Sequence, residues 1–425
     1  MSQHRIKTIL IFITFTIAIV LGTIALLCMD AAPPEDGDLR LAKLGVPDEE
    51  NAFSLLAEAG RRFSFPDGMG YDWESMQDDP PNDRVPWRDD AAMLMLSRNK
   101  KALEIARRAL ICNASQAPPP DAELKVKAKY ISALMRVKGD LLCRQGSHRY
   151  GFDSFVDAVR IAHLVEISDC GTRRGSILRL KFRVLERMVD NLASADLDHN
   201  ALMEYCSTLD ANRMTDDQFV RMLKMDYVAI CGDVDQLADP AMLPVIREAF
   251  PELRFVSCTP YHYQPNRTKG RLAAIFRSTL KRLPRDCTRL PRRSLSMTFY
   301  EPYSSCKSIV GMIPALFERN AIGAVHHAPA AGAISDAIWT RQENSLRISA
   351  LQILMALKCH KRDSGQLPRS LGELVPAHLR AIPADDYDGK PLRYSPEKKM
   401  IYSVGEDLTD DGGSADKDIV FKVEF

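Results

Sequence analysis

"GFDSFVDAVRIAHLVEI", Gly151 to Ile167, decides the fold class. Phe152, Phe155, Val156 and Val159 recur at the spacing that lines one face of a 3.6-residue helix. The same period returns at Leu103, Ala106 and Leu110, at Leu178, Phe182, Leu185 and Val189, and at Val220, Leu223, Tyr227 and Ile230. Helical segments joined by a few turn residues pack most simply as antiparallel hairpins. No motif recurs at a fixed period, so a tetratricopeptide array is not supported. The expectation is a mainly α protein whose body is an irregular α-helical bundle or short solenoid.

Outward from this body the texture changes at both ends. Residues 49–63 read as a short amphipathic helix, and 64–90 as a long irregular loop with Pro66, Pro80, Pro81 and Pro86, pinned by Trp73 and Trp87. A helix is expected after Pro265, with Asn266 or Thr268 as N-cap. The Ala- and Gly-rich "AIGAVHHAPAAGA", 321–333, reads as a loop before a long helix over about 339–360, whose apolar face is Leu346, Ala350, Ile353, Leu354 and Leu357. Gly365 and Pro368 stop that helix. Beyond them, short turns, "PADDYDGKPLRY", "KKMIYSVG" and "DIVFKVEF" read as strands linked by Asp- and Gly-rich loops. A boundary near 341 therefore introduces a small C-terminal α+β module with an antiparallel sheet.

"TILIFITFTIAIVLGTIALLCM", Thr8 to Met29, runs 22 residues without a charge. As a helix it reaches roughly 33 Å, enough to cross a hydrocarbon core. Arg5 and Lys7 precede it and Asp30, Glu35, Asp36 and Asp38 follow it, so the N-terminus is expected in the cytoplasm and the bulk outside, in the periplasm or its equivalent. A cleaved signal peptide fits less well, because Cys-Met-Asp-Ala-Ala after Leu27 lacks a small-x-small site; Leu27 is likewise too large for a lipoprotein signal at Cys28. The expected order is a transmembrane signal anchor over 1–29, a linker over 30–48, an extracytoplasmic helical domain over 49–340 and the α+β module over 341–425.

A formal net charge of +1 makes no case for nucleic acid. Two local imbalances stand out. Residues 262–293 carry ten Arg and Lys against one acid, Asp286. That stretch could meet anionic headgroups, an acidic partner or the chain's own acidic tail, or form a solvated, ion-paired face. The tail "YSVGEDLTDDGGSADKD", Tyr402 to Asp418, has six carboxylates against one base, Lys417. Nine cysteines lie outside the anchor with no C-x-x-C, so zinc spacing is absent; buried inert thiols are the expectation for most of them.

The terminal unit resembles the globular half of the type II secretion major pseudopilins. The resemblance rests on Gly365 with Pro368, the short helix Leu371 to Val375, Pro383-Ala384-Asp385, Gly389 with Pro391, and Tyr402-Ser403-Val404-Gly405 with Asp407. It covers roughly the last 80 residues. The Gly-Phe-Thr-Leu-Ile-Glu-like start of that family is missing from the anchor. The whole arrangement looks like envelope proteins of planctomycete-type bacteria. The resemblance implies a structural Ca²⁺ in the acidic loop, with Asp407, Asp411, Asp416 and Asp418 as ligands. The residues support this separately, since Asp407, Thr409, Asp411, Gly412 and Asp418 approach EF-hand oxygen spacing. The alternative is a solvated acidic turn.

No G-x-S-x-G, H-E-x-x-H, Walker or dinucleotide motif is present. His326-His327 has no carboxylate or histidine at ligand spacing, and His163 falls on the apolar face of its helix as a satisfied core residue. No catalytic residue is nominated. The expected function is a membrane-anchored structural or interaction protein of the envelope, associated with secretion machinery and a protein partner. The competing expectation is an extracytoplasmic hydrolase whose site is assembled from distant residues.

Overall fold

In the computed structural model, which describes residues 3–41, 46–66, 89–112, 122–168, 175–237, 239–242, 244, 259–286 and 319–425, the Phe152 stripe lies at the centre of a helical hairpin. Its arms are α5 (Ala122–Arg144) and α6 (His148–Ser168). Gly146 takes a positive φ between them; its N–H reaches Cys143 O at 3.0 Å and Ser147 N–H reaches Leu142 O at 2.9 Å, the paired bonds of a Schellman stop. Two glycines set how closely the arms approach. A Cβ on Gly139 would lie 2.5 Å from the Phe155 ring, and one on Gly151 would lie 2.4 Å from Cys143 Sγ. Phe152, Phe155 and Val159 are fully buried, so the helical period read from the sequence is borne out.

The chain is mainly α. Before the hairpin come α1 (Gln3–Cys28), α2 (Ala52–Arg62), α3 (Asp89–Arg98) and α4 (Lys100–Ala109). After it come α7 (Gly175–Leu192), α8 (His199–Ala211), α9 (Asp216–Gln236), α10 (Pro265–Asp286) and α11 (Ala321–Ser364). The small sheet follows: β1 (Arg393–Ser395), β2 (Met400–Ser403) and β3 (Ile419–Lys422), antiparallel in the order β1-β2-β3. Most of the expected loop 64–90, with Trp73 and Trp87, lies outside the described residues, as does 287–305.

The described residues fall into two compact units, with α9, α11 and the last residues of α10 divided between them. One unit holds α2–α8, the start of α9, the rest of α11 and the sheet. A single apolar cluster runs through it, from Leu56 and Ala106 through Phe155 and Leu185 to Leu351, Ile401 and Phe421. The C-terminal module therefore shares its core with the helices. Lys358 ties the two together by donating to Leu192 O, Ala193 O and Ala195 O (2.5, 3.2 and 2.7 Å), carbonyls that the end of α7 leaves without helical partners.

The other unit holds α1, residues 29–40, the rest of α9, most of α10 and residues 319–335. Residues 30–40, read as linker, are held at several points. Asp30 accepts from Asn266 N at 2.8 Å and Arg267 N at 3.0 Å, capping the first turn of α10. Asp36 is buried and accepts from Arg40 and from Tyr227 Oη at 2.8 Å. That helix starts at Pro265, and Thr268 sits inside it, bonded to Gln264 O; neither expected N-cap fills the role, because Asp30 takes it from far away in sequence.

The segment 321–333 corrects another expectation. It is helical, and α11 runs 44 residues from Ala321 instead of starting near 339. Alanine's high helix propensity offsets Gly323, Gly332 and Pro329 over this stretch. His326 and His327 are thus on a helix, and their side chains lie outside the described residues.

Candidate functional site

The acidic loop leaves β2 through Gly405 and returns to β3 at Ile419. Asp418 is buried; its Oδ2 accepts from Gly413 N at 2.7 Å and Ser414 N at 3.0 Å, while its Oδ1 is sealed without a partner. Asp411 is half-buried, with Oδ1 on Lys417 Nζ at 3.0 Å and Oδ2 unpartnered. Asp407 folds onto its own backbone, accepting from Thr409 N at 2.9 Å, and Asp416 is exposed. Asp411 and Asp418 thus present free oxygens. No three of the loop's carboxylates bring ligand atoms within 4.8 Å of one another in this arrangement.

On α10 two bases of the basic stretch are ion-paired with acids of the same unit. Lys269 meets Asp235 at 2.5 Å and Arg277 meets Asp38 at 2.7 Å. His163 is a core residue, as expected. Its Nδ1 lies 3.3 Å from Lys181 Nζ in a buried group that includes Glu166 and Asn344.

A cleft of about 550 Å³ lies where α8 and α11 meet the loop that precedes the sheet. Arg213 and Asp386 line it, with His378 at one end. Arg213 is not free to grip a ligand. Its guanidinium donates to Asp210 Oδ1 (2.8 Å), Ser345 O and Oγ (2.9 Å each), Ser349 Oγ (3.0 Å) and Gln352 Oε1 (2.8 Å), which uses all five N–H groups. Within this lining Asp386 Oδ2 and His378 Nδ1 are sealed and without partners. Burial pushes the Asp386 carboxyl up to about 6, against the opposing effect of the Ser345 hydroxyl at 3.1 Å and of Arg213.

Because that value is raised in the folded chain, Asp386 favours folding in acid, below about pH 4, and this contribution is lost as pH rises through about 6. Asp386→Asn is expected to raise stability at pH 7.5 by roughly 1–2 kcal/mol. The gain should vanish near pH 4, and thermal melts at the two pH values check both.

Comparison with known protein families, with curated proteins and with solved structures finds no match for this chain. The site residues therefore rest on geometry alone. The fold also gathers His199, Cys359 and His378, which sequence spacing does not connect: their ligand atoms all lie within 4.8 Å of one another. The only local hint is Cys359-His360 with Asp363 one turn later on α11.

Proposed function

We propose that the protein is held in the cytoplasmic membrane by residues 8–29, with the N-terminus cytoplasmic and the bulk extracytoplasmic, and acts there as a structural or interaction protein of the envelope. The observation that carries this reading is the window Ile11–Cys28, of mean hydropathy 2.6 with no residue buried against the fold. Apolar surface on that scale is strongly unfavourable in water and matches a bilayer core. A cleaved leader would have the same composition. Retention is supported by the far end of α1: Arg319 donates to Met29 O at 2.8 Å and Gln264 to Leu27 O at 2.8 Å, so cleavage there would break contacts built into the folded unit. The expected result is an intact N-terminus, alkali-resistant membrane association, and release of a variant lacking residues 1–28 into the soluble fraction. A C-terminal reporter enzyme active only in the cytosol would overturn the topology.

A secretion-linked role follows from the pseudopilin resemblance of the tail. It gains support from Asp385, Ser403 and Val404, motif residues joined by direct hydrogen bonds. Structural Ca²⁺ in the acidic loop belongs to the same reading, with the free oxygens of Asp411 and Asp418 as the first ligands. Calcium at a hundredfold its Kd is expected to stabilise the protein by about 2.7 kcal/mol, and Asp418→Asn is expected to abolish that response. An unchanged melting temperature up to millimolar calcium removes the ion from the proposal. The cleft favours one second reading, a hydrolase using Asp386 and His378. Hydrolysis of an ester or peptide substrate that is lost in Asp386→Ala would select it over partner binding.

A further inference from the structure

We propose that His199, Cys359 and His378, completed by Asp363, form a site for one borderline-soft divalent cation of the zinc class that fastens α8, α11 and the C-terminal loop together. The three elements each bring a donor for a local reason. His199 is the first residue of α8, positioned by the Asp198 cap, whose carboxylate accepts from Ala201 N at 2.7 Å. Cys359 and Asp363 stand four residues apart in the last turns of α11 and so share a face. His378 is fixed in its loop by its backbone N–H on Leu374 O at 2.8 Å.

The spacing suits a tetrahedral ion. Ligand atoms of the histidines and the cysteine lie within 4.8 Å of one another, and Asp363 Oδ2 is 3.8 Å from both His199 Nδ1 and His378 Nε2. Zn–N and Zn–S bonds place donors about 3.3–3.6 Å apart, so these groups need to close by about an ångström. His378 is 6% exposed and turns Nε2 towards Asp363, so Nε2 is the nitrogen it offers an ion, while its unpartnered Nδ1 lies on the other side of the ring and stays outside the site. Two more imidazoles crowd it, with His199 and His360 at ring distances of 5.5 and 5.7 Å. Three imidazoles, a buried thiol and a carboxylate leave more donor and acceptor capacity than they can satisfy among themselves. A cation resolves it.

Donor chemistry sets the class of ion. Two nitrogens, a sulfur and one oxygen favour zinc or its first-row neighbours over calcium and magnesium, which take oxygen. Coordination displaces the proton of the Cys359 thiol, since the thiolate is the ligand form. Asp363 fills the fourth position from the solvent side, giving a closed set of the structural kind.

The full-length protein in detergent, stripped with chelator, is titrated with Co²⁺ and then Zn²⁺. The expected result is one equivalent of cobalt with tetrahedral d–d bands and a thiolate-to-cobalt charge-transfer band, displaced by zinc. Cys359→Ser should remove the charge-transfer band. His199→Gln, at a half-exposed position that leaves the metal-free fold unchanged, should weaken binding roughly tenfold or more. Asp418→Asn, in the acidic loop, should leave the cobalt spectrum as it is. Absence of cobalt binding, a charge-transfer band that survives Cys359→Ser, or unaltered affinity in His199→Gln overturns the site.

Discussion

Lys181→Met is expected to cost the folded protein about 3–5 kcal/mol, because it strands a buried carboxylate. Lys181 is 2% exposed, and its ammonium has three partners: Asn212 O at 2.6 Å, Glu166 Oε2 at 3.3 Å and His163 Nδ1 at 3.3 Å. Burial raises the Glu166 carboxyl, but the Lys181 ammonium outweighs it and holds the group below its ordinary range. Burial, and then Lys181, lowers His163, so its ring is neutral at pH 7 and Nδ1 accepts from the ammonium. In the variant, Glu166 keeps the Asn344 amide at 3.2 Å and the His163 ring at 3.7 Å, but no permanent charge partner.

The double variant Lys181→Met with Glu166→Leu should recover most of the loss, since apolar replacement of a whole buried pair is close to neutral. Denaturant melts of the four proteins give the coupling directly. Equal losses in the single and double variants would mean that the pair is not coupled. The pH dependence has a fixed sign. A depressed carboxyl stabilises above its unfolded pKa and loses that contribution as pH falls. The wild type is therefore expected to lose stability in acid while the variant, whose Glu166 protonates readily, loses less, and the gap narrows below about pH 5.

This network shows where sequence reading succeeds and where it stops. His163 is legible as a core residue because its position follows from the same 3.6 period that buries Phe152, Phe155 and Val159. Its partners are not legible, because Lys181 and Asn344 belong to other helices and the pattern along one helix says nothing about which helix packs beside it. Strands β2 and β3 fall within the segments read for them, and β1 overlaps the end of "PADDYDGKPLRY". The start of α11 was missed because glycine and proline are weighed locally, whereas the surrounding packing decides whether an alanine-rich stretch stays helical. The cap on α10 was assigned to neighbours in sequence, while Asp30 supplies it from the segment after α1. His199 and His378 are separated by most of the body, so no spacing rule could join them to Cys359.

Asp385→Ala is expected to be as damaging as the loss of Lys181, about 3–5 kcal/mol, with the damage confined at first to the C-terminal module. Asp385 is fully buried, and both its oxygens are used twice. Oδ1 accepts from Ser403 Oγ at 2.7 Å and Tyr387 N at 3.0 Å; Oδ2 accepts from Arg393 Nη1 at 2.6 Å and Val404 N at 3.1 Å. One carboxylate thus joins the turn before the sheet, the Arg393 end of β1 and the exit from β2. Removing it leaves buried donors on Ser403, Val404 and Tyr387 without an acceptor, and deprives Arg393 of one of its carboxylates, with Asp388 remaining. Asp385→Asn does not rescue the site, because its amide would turn a donor towards either the Arg393 or the Ser403 side. Amide exchange is the discriminating measurement: protection at Val404 and Tyr387 should fall steeply, while the centre of the hairpin around Phe155 keeps the protection of the wild type. Because Val404 leads into Gly405 and the acidic loop, the same variant should blunt any calcium response without touching an acidic-loop carboxylate. Unchanged exchange at Val404 would show that the turn and the sheet hold together without this carboxylate.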